Sequence, residues 1–155
     1  MRGLRFLIAF SVISTAMLAA DSPFVGTWKL NVAKSKFAPG TAMKEATVTF
    51  EAVGDEMKRT VVGVDADGQQ VNQNSTIAWD GEAHKIEAPP DPPIMVAVKK
   101  VGDNTLDVTV KQPDGKLLST IKAVVSQDGK SITVTDKGED QKGRKLDNTE
   151  VFEKQ

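Results

Sequence analysis

Residues 44–64 read Lys44-Glu45-Ala46-Thr47-Val48-Thr49-Phe50-Glu51-Ala52-Val53, then Gly54-Asp55, then Glu56-Met57-Lys58-Arg59-Thr60-Val61-Val62-Gly63-Val64. Ala46, Val48, Phe50 and Ala52 share one parity, with Glu45, Thr47, Thr49 and Glu51 between them. A period of two is that of a strand with one face in a core and the other in water. Gly54-Asp55 then offers the positive φ that a tight turn needs, so the stretch is a β-hairpin.

The same grammar runs to the end of the chain. Leu106, Val108 and Val110 alternate with Asp107, Thr109 and Lys111, and Ile132 and Val134 with Ser131, Thr133 and Thr135. Glycines 54, 68, 81, 102, 115, 129 and 143 mark successive turns at intervals of 14, 13, 21, 13, 14 and 14 residues. A strand of about ten residues plus a short turn fills the common interval. The interval of 21 contains Pro89-Pro90-Asp91-Pro92-Pro93, which cannot sit inside a sheet and splits that stretch in two. Ten strands follow, near residues 25–31, 44–53, 56–65, 69–79, 82–87, 94–101, 105–112, 116–126, 130–137 and 144–154. Helix is confined to a short turn within Val32 to Phe37.

Short connections make neighbouring strands antiparallel partners. An open sheet of ten strands leaves two bare edges and an unburied face, so the expectation is an all-β, up-and-down meander closed into a barrel. A sandwich needs long crossing connections, and only the proline segment offers one. An outer-membrane barrel needs an apolar lipid face and aromatic girdles. Beyond residue 20 the only aromatics are Phe24, Trp28, Phe37, Phe50, Trp79 and Phe152.

Composition bounds the rest. The first twenty residues hold Arg2 and Arg5, an apolar run from Phe6 to Leu18, and Ala19-Ala20 before Asp21. This three-part shape is that of a secretory signal peptide cleaved after Ala20. Thirteen helical residues rise only about 20 Å, too little for a membrane span. The expected organisation is therefore a signal at 1–20 and one β-barrel domain at 21–155, secreted or periplasmic, with no lipoprotein cysteine. Without Arg2 and Arg5 the chain keeps 18 basic against 21 acidic side chains, a net charge of −3. That balance argues against nucleic acid as a partner. With no cysteine there is no disulfide, thiolate metal site or thiol nucleophile.

At the first strand the chain reads Phe24-Val25-Gly26-Thr27-Trp28-Lys29-Leu30-Asn31. A Gly-x-Trp at the head of one continuous meander resembles the lipocalin and fatty-acid-binding-protein superfamily, most closely its bacterial secreted lipocalin-like members. The resemblance implies that Gly26 permits close backbone approach and that Trp28 plugs the closed end. It also implies a cation from the last strand over that ring, Lys154 first and Arg144 second. The sequence departs from the superfamily in lacking any tyrosine, hence its Thr-Asp-Tyr motif. Only Val32 to Ala42 separates the first two strands, too little for a helical lid.

Candidate chemistry is sparse. His84 is the single histidine and has no cysteine or elbow serine to work with, so zinc and triad chemistry are not expected. Asp65-Ala66-Asp67-Gly68 places its glycine too early for a calcium loop, and its twelfth position falls on Thr76. No metal, cofactor or catalytic residue is expected, and the chain is read as a non-enzyme. Phe50, Met57, Trp79 and Met95 are the large residues able to line a cavity, with small ones such as Ala97 leaving room beside them. Arg59 shares parity with Met57 and Val61. If that face is interior, its guanidinium must be paired or await an anionic group; if Thr60, Val62 and Val64 are interior, Arg59 is surface. The expectation is a binding module holding a small hydrophobic ligand. The alternative is a non-enzymatic envelope or extracellular interaction or inhibitor protein, with a protein partner on its turns and surface.

Overall fold

The computed structural model describes residues 22–86 and 92–155. The segment read as a signal peptide lies outside the described residues, as does the first part of the proline run, Pro89-Pro90-Asp91. Ten strands form one sheet: β1 Gly26–Leu30, β2 Glu45–Val53, β3 Glu56–Val64, β4 Gln70–Ala78, β5 Asp80–Ile86, β6 Ile94–Gly102, β7 Thr105–Lys111, β8 Leu117–Val125, β9 Ser131–Glu139 and β10 Lys145–Lys154. The expected strands are all present, with ends within two residues of those read from alternation and turns. A 3-10 turn over Val32–Lys34 is closed by the Asn31 side chain, which accepts from the Lys34 N–H.

The sheet order is β4-β3-β2-β1-β10-β9-β8-β7-β6-β5, antiparallel throughout. Pairing of β1 with β10, Trp28 opposite Lys154 and Leu30 opposite Phe152, rolls the meander into a nearly closed barrel. The expectation that every consecutive pair of strands joins fails at one place. β4 and β5 follow each other through Trp79 yet end up as the two sheet edges, leaving a seam without a ladder. The bulge between Asp80 and Ala83 bends β5 at its start, where continued pairing with β4 would have to begin.

Aspartates make the turns as much as glycines do. Asp114, Asp128 and Asp140 each accept the backbone N–H two residues on, at 2.9, 3.0 and 2.9 Å. This is the local bond that favours Asp at a turn. Gly63 serves a different end: a Cβ there would collide with the Glu45 carbonyl oxygen and the Ala46 Cα, so glycine lets β3 press against β2.

The core is densest at one end. Phe24 and Trp28 have no accessible surface, and the Trp28 indole N–H donates to the Phe24 carbonyl oxygen at 2.8 Å. Phe24, Phe50 and Trp79 meet edge to face with centroids 5.5 to 6.3 Å apart. Lys154 Nζ stands 5.0 Å from the Trp28 ring centroid, and a Cβ on Gly26 would meet Lys154 Cε at 3.1 Å. The glycine of the Gly-x-Trp motif thus makes room for the cation that covers the tryptophan. Arg144, the second choice, points elsewhere: it bonds Asp140 at 2.6 Å and the Gly40 carbonyl at 2.8 Å.

At the other end the β9–β10 turn reaches across the mouth. Lys142 pairs with Asp67 of the β3–β4 turn, Arg144 adds a longer contact to the same carboxylate, and Gln141 donates to the Pro92 carbonyl.

Candidate functional site

Alternation sends one residue in two inward, and the inward set does not fill the barrel. A cavity of about 280 Å³ remains, near the lower end of typical ligand sites. Its walls are Val, Ile and Leu from β6, β7, β8 and β9, with Phe50, Met57 and Trp79 on the opposite side. Trp28 and Phe24 form its floor.

Of the six residues expected to line the cavity, Phe50, Met57, Arg59 and Trp79 do so. Met95 and Ala97 do not. Antiparallel register sets them opposite Lys111 and Thr109, whereas Ile94, Val96 and Val98 face inward, with Val96 opposite Val110 and Val98 opposite Val108. β6 is apolar on both faces, so its own composition does not tell the faces apart. The clean alternation of β7 does, once carried across the ladder.

The open question about Arg59 is settled by its neighbours: Met57, Val61 and Gly63 are buried, Val62 is 49% exposed, and Arg59 joins the cavity wall. Arg59 keeps accessible surface while it lines the cavity, and protein atoms crowd around its guanidinium. Burial draws its pKa below the ordinary arginine value, and the charge of Glu150 resists that pull. Among the described residues no hydrogen bond or ion pair within 4.0 Å engages it.

Glu150 is the residue that sequence reasoning missed. It sits on β10 opposite Val134, two residues before buried Phe152 on the same face, and it also lines the cavity. Burial pushes its carboxyl up to about 7; the charge of Asp136 adds to the rise and Arg59 opposes it. Asp136, inward on β9, is raised by burial against a bond from Ser119, and its Oδ1 has no hydrogen-bond partner. The signal for Glu150 was its parity with Phe152, obscured because Asn148 and Glu150 interrupt the apolar side of β10. Gln73 and Ser75 of β4 complete the polar part of the wall.

His84 pairs with Asp80 at 3.1 Å on the surface. Among the described residues no group of three His, Cys, Asp or Glu gathers to hold a metal ion, and no helix is long and apolar enough to cross a membrane. What the site offers is an apolar chamber with one cation and one reluctant acid on its wall, and a second acid, Asp136, near the first, which suits an amphiphile.

No protein-family model matches this sequence, and no curated protein does. Solved structures do. A Schistosoma mansoni fatty-acid-binding protein in complex with arachidonic acid is similar at a TM-score of 0.58 and 18% identity, covering 88% of this chain and 98% of its own. Caenorhabditis elegans lipid-binding protein 8, solved without ligand, gives a TM-score of 0.61 at 14% identity over 90% and 100%. A zebrafish ileal bile-acid-binding protein complexed with cholic acid gives 0.53 at 12% over 86% and 100%. These neighbours belong to the lipocalin and fatty-acid-binding-protein superfamily, and at such identities the likeness is one of fold.

Proposed function

We propose that this chain is an exported carrier that holds one small molecule with an apolar body and a single acidic head, the body against the Val and Ile wall and the head at Arg59. The observation that carries this reading is a guanidinium with no hydrogen bond or close ion pair among the described residues, on the wall of a largely apolar cavity. A charge crowded by protein atoms loses solvation that a paired counter-charge restores, and a carboxylate matches the guanidinium fork. The cavity itself favours this reading over an interaction protein that works through its surface. The named ligands of the structural neighbours, arachidonic and cholic acid, have the same apolar-acid chemistry.

The test is titration of the purified protein with dodecanoate and with dodecanol, followed by tryptophan emission, since Trp28 and Trp79 both line the cavity. Micromolar binding of both is expected, with the acid preferred. Arg59→Met should remove that preference, a loss of about tenfold for the acid, or about 1.4 kcal/mol, while the alcohol is unaffected. Unchanged emission with both guests would overturn the proposal. Export is tested separately: the chain recovered outside the cytoplasm should begin at Asp21.

A further inference from the structure

Glu150 and Arg59 line one cavity from strands on different sides of the sheet, and no direct ion pair joins them. The side chains around Glu150 leave it little else to answer to. On β9 its direct neighbour is Val134, with Asp136 two residues along. Lys36 bridges by backbone to Thr149, whose side chain has the opposite parity, and Lys36 is exposed. The inward residues of β2 and β8 on the cavity wall, Val48, Phe50, Ile121 and Ala123, do not titrate. Arg59 and Asp136 are thus the charged groups that Glu150 senses among the described residues.

Resting on the carrier reading, we propose that an ionised Glu150 takes a proton from solvent when an anion binds and returns it on release, so that from neutrality upward the cavity takes up its guest as anion plus proton. The argument is one of charge count. An ionised Glu150 partly neutralises Arg59 and repels an incoming anion; a protonated Glu150 leaves Arg59 to the guest and adds an O–H donor. With Glu150 poised at about 7, both forms exist near neutrality. Binding of the anion favours the protonated form, and by linkage the loss of that proton weakens the anion's hold. The proton comes from solvent and goes to a Glu150 oxygen; no other bond changes. The device gives selectivity as well, since a neutral guest of the same shape gains nothing from it.

The experiment compares dodecane-1-sulfonate, which stays ionised at every pH used, with dodecan-1-ol, both read by tryptophan emission. For one linked proton the sulfonate affinity should fall about tenfold per pH unit above about pH 7.5, while the alcohol stays flat. Glu150→Gln should hold the sulfonate at its low-pH affinity throughout. A sulfonate affinity independent of pH, or a slope that survives Glu150→Gln, with the alcohol still bound, overturns the proton exchange and leaves the carrier reading intact. Failure of both guests to bind overturns both. A second measurement needs no variant: the Glu150 side-chain carboxyl ¹³C resonance should titrate near neutrality and its midpoint should rise when the sulfonate is added. A midpoint that stays or falls overturns the proposal.

Discussion

The two ends of the barrel interior are built from the same strands and treat space and charge in opposite ways. β10 gives Phe152 to the aromatic floor and, two residues earlier, Glu150 to the cavity; β9 gives Ile132 to the floor and Asp136 to the charged region. Around Trp28 the volume is filled and the buried indole N–H is bonded. Around Arg59 there is open space and a cation without a close partner, and nearby on β9 Asp136 keeps a buried carboxylate oxygen without any. The floor therefore stabilises the barrel, and the region above it keeps polar groups without close partners. A few ångströms along a strand separate the two tasks.

The contrast can be broken most forcefully at the floor. Trp28→Ala should cost about 3 to 5 kcal/mol in urea unfolding, the range for losing a large buried ring. A variant as stable as the parent would place the structural weight elsewhere. The opposite sign is expected at Glu150. Its carboxyl is held at about 7 against 4.5 for a free glutamate, so the folded state binds more protons than the unfolded one between those values. Stability should then fall as pH rises from about 5 to 7, by about 3 kcal/mol in all. Glu150→Gln should abolish that fall, matching the parent near pH 5 and exceeding it near pH 8 in the same assay. The exposed Asp67, Asp128 and Glu153, lowered by their hydrogen bonds, contribute the reverse dependence at more acid pH.

A smaller change sharpens the comparison from within the cavity. Ala123→Phe puts a ring into the chamber that Ala123 lines, and should weaken dodecanol binding at least about tenfold while costing at most about 1 to 3 kcal/mol of overpacking. Lys154→Ala should have the least effect, about 0.5 to 1 kcal/mol, as befits a cation over an aromatic face at an exposed site.

How far the sequence discloses this molecule follows the same division. Strand number, turns and the Gly26, Trp28 and Lys154 constellation were legible because each has a local signature: alternation, Asp-Gly, and a motif at the head of the meander. The cavity was legible only in part. Arg59 lies on β3, where Val61 on one face and Val62 on the other are equally apolar, so parity alone left its side open. Met95 and Ala97 were misplaced for the same reason on β6. Glu150 escaped because an acid on an inward position breaks the very pattern used to find inward positions. The β4–β5 seam escaped because a turn at Asp80-Gly81 looks like every other hairpin turn, and only the bulge after it differs.

That seam makes the protein a slit cylinder rather than a closed pipe. At one end of the slit Trp79 is pinned by the rings of Phe24 and Phe50. At the other, the turns beside β4 and β5 are clasped by Lys142, Arg144 and Gln141, all on the rim. Widening the girth along the slit breaks no strand-to-strand hydrogen bond, so the resistance to it comes from the pin and the clasp. Exposed ion pairs hold weakly and are screened by salt. On the carrier reading such a cylinder would open from its clasped end, its bore adapting to guests of different width while the aromatic floor stays fixed.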